Sequence, residues 1–190
     1  MSVSQQPTVR AGPPLVLFVC RANLVRSPVA AARFNDWAGR GRHQGLAAAS
    51  AGTRARTGDA APPEALREAS AHGLDLASHR SRRLSPLIVE HAELVVTMTE
   101  TQRDAVRTAV PRAVSRTFTL RELVRLCDFA AMLGMDLSEL AEAAHRVRPY
   151  APGPQEAEDV GDVVAGSRKS FQKAVTSVIS LTDALTARLA

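Results

Sequence analysis

Apolar residues run unbroken from Leu15 to Val19 and stop at Cys20, after which polar and small residues carry the chain to Pro28. A run this short, bounded by turn-compatible residues, reads as a buried strand. Pro28 suits the first turn of a helix reaching about Ala38, with Val29, Ala30, Phe34 and Trp37 near helical spacing. That spacing places the single tryptophan in the core. Leu46 to Ser50 reads as a second strand, Glu93 to Met98 as a third and Val114 to Phe118 as a fourth. Between them, Pro62-Pro63 opens a helix that Gly73 closes, and Ser85-Pro86 starts a shorter one. Thr99-x-x-Gln102, Thr119-x-x-Glu122 and Asp136-x-x-Glu139 have the spacing of helix capping boxes and predict three more helices. Leu120, Leu123, Val124 and Cys127 repeat at i, i+3, i+4 and i+7, so Cys127 belongs to an apolar face. The last helix begins near Arg168 and buries Phe171, Val175, Val178, Leu181, Leu185 and Leu189.

Strands alternating with helices predict an α/β fold, a doubly wound four-stranded parallel sheet flanked by helices, with ligands beyond the carboxyl ends of the strands. Residues 1–13 are polar and without period, and read as a flexible leader; 14–190 form one domain. Such a length buries enough surface to fold without disulfides. Two cysteines and the lack of an apolar run long enough to span a bilayer point to the cytoplasm and away from a membrane. A lipoprotein signal ending at Cys20 is disfavoured, because Val19 is not the small residue that cleavage needs. The net charge of +5 raises the question of nucleic acid, but aromatic residues for base stacking make up only 4% and the basic residues are scattered. No nucleic-acid partner is expected. The densest basic cluster, His79-Arg-Ser-Arg-Arg83, reads as a solvated loop.

The chemistry concentrates where the first strand ends. A loop from Arg21 through Ala22, Asn23 and Leu24 to Val25 that turns its N–H groups inward, followed at once by a helix N-terminus, makes a cradle for a phosphate-sized oxyanion. The same field favours a thiolate, which makes Cys20 a ready nucleophile. Arg26 offers a planar fork of donors that grips two phosphoryl oxygens. Ser27 can donate to the sulfur, cap the helix, or do both. Asn23 tolerates the left-handed backbone that a tight loop requires. No His, Cys and Asp grouping has metal-ligand spacing, so neither metal nor organic cofactor is expected.

The segment Cys20-Arg-Ala-Asn-Leu-Val-Arg-Ser-Pro28 resembles the opening motif of the low molecular weight protein tyrosine phosphatase family. The resemblance continues through Ser50-Ala-Gly-Thr53, His72-Gly-Leu-Asp75, His79 to Leu84 and Ala92 to Thr99, fades, and returns at Asp159-Val-Gly-Asp-Val-Val-Ala-Gly166. It implies hydrolysis of phosphate monoesters, phosphotyrosine in proteins foremost, through a phosphocysteine on Cys20, with a phosphoprotein or small phosphate ester as substrate. It implies Asp162 as the general acid, with Glu156 and Asp159 as rivals, and a loop brace between Asn23 and Ser50. A helix and loop at about 134–158 read as an insertion. Departures from the pattern matter: Ala22 replaces a glycine, Val25 a second cysteine, and Val163 and Val164 a proline and an aromatic residue. They keep two other readings open: a phosphate-binding or scaffolding protein of weak activity, and an arsenate reductase, for which Cys127 is the sole additional thiol. The physiological substrate and oligomeric state are not specified by these residues.

Overall fold

The computed structural model describes residues 15–41, 45–153, 159–161 and 168–189. The leader at 1–13, Glu156 and the stretch Asp162 to Val164 lie outside these residues. The strands are β1 (Leu15–Cys20), β2 (Ala47–Gly52), β3 (Leu94–Thr97) and β4 (Thr117–Thr119). The helices are α1 (Arg26–Gly39), α2 (Pro63–Ala71), α3 (Pro86–His91), α4 (Glu100–Ala109), α5 (Leu120–Phe129), α6 (Leu137–Val147) and α7 (Arg168–Thr186). All strand pairs are parallel and the sheet order is β2-β1-β3-β4, which puts β1 in the interior and Cys20 at its carboxyl end. This is the doubly wound α/β sheet that the alternation of elements predicts.

Strand pleating sorts β1 between two cores. Val16, Phe18 and Cys20 face a layer that includes Phe34 of α1, Leu123 of α5, Leu140 of α6 and Val175 of α7. Leu17 and Val19 face Val89 of α3, Val106 of α4 and Ala113. Phe18 and Phe34 pack with ring centres 6.2 Å apart, and both are fully buried. Each such side chain contributes about 1.5–3 kcal/mol from removal of apolar surface from water. Trp37 lies edge-on to Phe34 at 5.3 Å but is only half-buried, so it flanks the core.

The fourth strand starts later than its sequence suggests. Pro111 opens a 3₁₀ turn over Pro111–Arg116, and Arg116 ties that turn to the carbonyl of Ala92, leaving three residues for β4. Thr119–Glu122 and Asp136–Glu139 form reciprocal capping boxes. At Thr99 only half the box forms: its hydroxyl accepts from Gln102 N–H, while the Gln102 side chain accepts from Met98 N–H.

Side chains finish both edges of the sheet. On β2 the Asn35 amide donates to Ala48 O (3.0 Å) and accepts from Ala48 N–H (2.8 Å), and Arg82 Nε donates to Ser50 O (2.7 Å). On β4 Arg148, just past α6, donates to Thr117 O (2.8 Å) and lies 4.2 Å over the Phe118 ring. Its Nε also pairs with buried Glu122 at 2.9 Å, and Arg103 meets the same carboxylate at 3.1 Å. Glu122 thus joins α4, α5 and the end of α6.

Candidate active site

Cys20 closes β1 with its side chain buried, and the chain bends through Arg21–Val25 before α1 begins. The Asn23 N–H donates to Cys20 Sγ (3.2 Å), and so does the Ser27 hydroxyl (3.0 Å). Two donors therefore converge on the sulfur, an arrangement that stabilises a negative charge there. Asn23 has φ +56°, so the reversal of the loop falls on this residue and not on Ala22. An alanine at position 22 therefore costs the loop no backbone freedom it needs.

Helix α1 has Val25 at its N-cap, no side-chain acceptor on its first N–H groups and no acidic residue in its first turn. Those N–H groups are the usual partners of an anion at a helix N-terminus. Ser27 lies inside α1 and bonds the sulfur, which removes its capping role. Arg26 is buried, and its Nη1 donates to Val160 O at 2.6 Å. The 159–161 segment is itself held by Val160 N–H to Met98 O (2.7 Å) and by Asp159 Oδ1, which accepts from Glu100 N–H (2.8 Å).

A thiol and an arginine on either side of such a loop match a known group of proteins along the chain. The sequence model described as low molecular weight phosphotyrosine protein phosphatase matches residues 15–134. The chain belongs to this family. A probable low molecular weight protein-tyrosine-phosphatase, EpsP, of Ralstonia nicotianae is 29% identical over 133 residues, 70% of this chain and 88% of that protein. A protein-arginine-phosphatase of Geobacillus stearothermophilus is 34% identical over 109 residues, 57% of this chain and 70% of that one. The solved structure of the YwlE arginine phosphatase from Geobacillus stearothermophilus superposes with a TM-score of 0.71 at 26% identity, covering 93% of each chain.

In this member of the phosphatase family the loop is framed by segments far apart in sequence. The Asn23 side chain donates to Ser50 Oγ (2.8 Å) and Ser27 Oγ (3.0 Å), and its oxygen accepts from Arg82 N–H (2.9 Å). His79 Nε2–H donates to Asn23 O (2.8 Å). Burial, with Arg82 and Arg80 nearby, lowers the His79 pKa below its ordinary 6.5, against the opposing pull of that hydrogen bond. The 79–83 cluster, expected as a solvated loop, is so only at Arg80 and Arg83, which are exposed; His79, Ser81 and Arg82 are scaffolding for the cradle, with Ser81 buried and its hydroxyl on Arg56 O. Gly52 was likewise not singled out. A Cβ there would stand 2.7 Å from Arg21 O and 2.8 Å from Asn23 N, so the loop packs directly on the end of β2. Both contacts depend on tertiary approach, which local pattern does not report. In the sequence, the family resemblance at 50–53 and 79–84 is what marks these segments.

Of the remaining candidates, Arg21 is exposed at the mouth, Leu24 packs against the main core and Val25 is buried. Cys127 is buried in α5, and burial pushes its thiol up to about 11. Among the described residues no cluster of His, Cys, Asp and Glu has the makings of a metal site, and no helix is long and apolar enough to cross a membrane.

Proposed function

We propose that the chain hydrolyses phosphate monoesters on proteins, phosphotyrosine foremost, by way of a phosphocysteine at Cys20. The observation that carries this reading is the convergence of Asn23 N–H and the Ser27 hydroxyl on Cys20 Sγ, beside the open N-terminus of α1. In the first step the Cys20 thiolate forms a bond to phosphorus as the ester oxygen departs. Arg26 and the loop N–H groups of Arg21 to Val25 hold the equatorial oxygens, whose charge is greatest in the transition state. Ser27 stabilises the sulfur as attacker and again as leaving group. Asp162, outside the described residues, gives its proton to the departing oxygen. In the second step it takes a proton from water as that water displaces Cys20 and releases inorganic phosphate.

Two observations support the choice of Asp162 over its neighbour and of hydrolysis over a thiol relay. The Asp159 carboxylate is engaged at the N-terminus of α4. Cys127, the only second cysteine, is buried with a raised pKa and so poorly suited to attack a disulfide. The inserted region we assign to about 134–158, and it contributes α6.

The test is hydrolysis of p-nitrophenyl phosphate and phosphotyrosyl peptide by wild type, Cys20→Ser, Asp162→Asn and Asp159→Asn. Cys20→Ser should be inactive. Asp162→Asn should lose roughly 10²–10⁴-fold on the peptide, less where the leaving group is a good one, and Asp159→Asn should lose little. Turnover by Cys20→Ser protein would refute the mechanism, and a loss confined to Asp159→Asn would refute the acid assignment.

A further inference from the structure

Backbone hydrogen bonds lace three loops together on one side of the Cys20 mouth. Arg54 N–H donates to Arg21 O (2.8 Å), Gly52 pairs with Arg83 in an isolated bridge, and Gly58 N–H donates to Ser81 O (2.8 Å). The lacing gathers arginines. Arg21, Arg54 and Arg83 are exposed, and among the described residues none of their guanidinium groups makes an ion pair or hydrogen bond. Arg56 is 88% exposed along its side chain and, among the described residues, meets the Asp59 carboxylate at 3.9 Å. Arg80 and Arg82, by contrast, turn onto backbone carbonyls and serve the scaffold. On the opposite side of the mouth stand Glu100 and Asp159. The basic side of the rim is therefore the side of β2, whereas on the side of α4 Glu100 pairs with Arg103 (3.0 Å) and Asp159 accepts from the Glu100 N–H.

Solvated guanidinium groups that meet no partner among the described residues, set beside an anion cradle, are available to a ligand. Their geometry suits a ligand that brings several carboxylates at once. We infer that this rim recognises acidic residues flanking the phosphorylated side chain, so that the preferred substrate is a phosphosite set among Asp and Glu. The inference rests on the phosphatase reading of the cradle and adds the sequence context of its substrate. Exposed charge pairs contribute a factor of up to about five each. Three or four together amount to roughly tenfold or more at low salt and fade as salt screens them.

Binding separates this claim from catalysis. Two fluorescent peptides carrying a non-hydrolysable phosphonate analogue of phosphotyrosine, one flanked by Asp and Glu and one by Asn and Gln, are titrated by anisotropy at low and high ionic strength. Wild type should favour the acidic peptide about tenfold at low salt, and the Arg54→Gln/Arg83→Gln double variant should lose most of that preference. Arg54→Glu should bind a Lys-flanked peptide more tightly than wild type does, a gain that damaged folding would not produce. Equal affinity for the two peptides, or a preference unchanged in the double variant, overturns the inference while leaving the phosphatase reading intact. Failure to bind either peptide, together with no release of phosphate from p-nitrophenyl phosphate, overturns both. Equally tight binding of an oligonucleotide or an unphosphorylated acidic peptide would show a general polyanion surface and overturn it as well.

Discussion

Replacing Asn23 by alanine should dismantle the cradle while leaving the sheet in place. The residue is fully buried at φ +56°, and its side chain serves Ser27, Ser50 and the Arg82 N–H at 3.0, 2.8 and 2.9 Å. Each buried partner left without its hydrogen bond costs about 1–3 kcal/mol. Ser27 keeps its bond to Cys20 and Arg82 is only half-buried, so the low end applies to those two. Holding alanine in the left-handed region adds roughly 1 kcal/mol. The sum is about 4 kcal/mol, a large part of the 5–15 kcal/mol typical of whole domains. In a chain this size it lowers the melting temperature by about 10–15 °C. Thermal and urea melts followed by circular dichroism, with vanadate affinity measured in parallel, read both effects. Asn23→Gly loses the same bonds without the backbone penalty and should recover at most about 0.5 kcal/mol after its greater unfolded-state entropy is counted. Asn23→Asp keeps the acceptor for Arg82 and the tolerance for positive φ. It places a negative charge beside Cys20, so it should cost less stability than alanine and more anion affinity. If Asn23→Ala melts within about 1 kcal/mol of wild type and binds vanadate as tightly, the brace does not hold the loop.

Gly52→Ala should abolish vanadate binding in calorimetry, because its Cβ would meet backbone atoms at 2.7 and 2.8 Å that cannot yield without moving the loop. Gly39→Ala, with nothing within 4 Å, is the matched control, and a Gly52→Ala protein with wild-type affinity would refute the contact. For His79, the fold favours the neutral ring, so its contribution is complete above the ordinary pKa of 6.5 and is lost as pH falls from there through the lowered value. The urea midpoint of wild type should drop over that interval more than that of His79→Gln, which keeps a donor toward Asn23 O; parallel pH profiles would count against it.

The strand, loop and helix from Leu15 to Gly39 were legible because every part of that cassette is local: an apolar run, a turn, a proline in the first helical turn. The capping boxes at Thr119 and Asp136 were legible for the same reason, each being closed within four residues. What frames the cassette was not. His79 and Arg82 reach Asn23 across 56 and 59 residues, and their charges, read along the sequence, describe a solvated loop. The fourth strand was placed too early because Val114, which suits a strand, is held with its neighbours in a 3₁₀ turn by Pro111 and Arg116. Ala22 looked costly by residue type, yet the φ that a β-carbon opposes belongs to Asn23.

An open sheet has two outer strands whose unpaired N–H and C=O groups invite another strand to join, the usual start of aggregation. Here Asn35 presents a side-chain amide to Ala48 as a neighbouring strand would present a peptide group, and on the far edge Arg148 occupies the carbonyl of Thr117. The Ser50 carbonyl is occupied by Arg82, whose own N–H frames Asn23. Protection of the β2 edge and integrity of the cradle therefore share a residue. Substitutions that displace Arg82 should make the chain not merely inactive but self-associating, a liability that an activity assay alone would overlook.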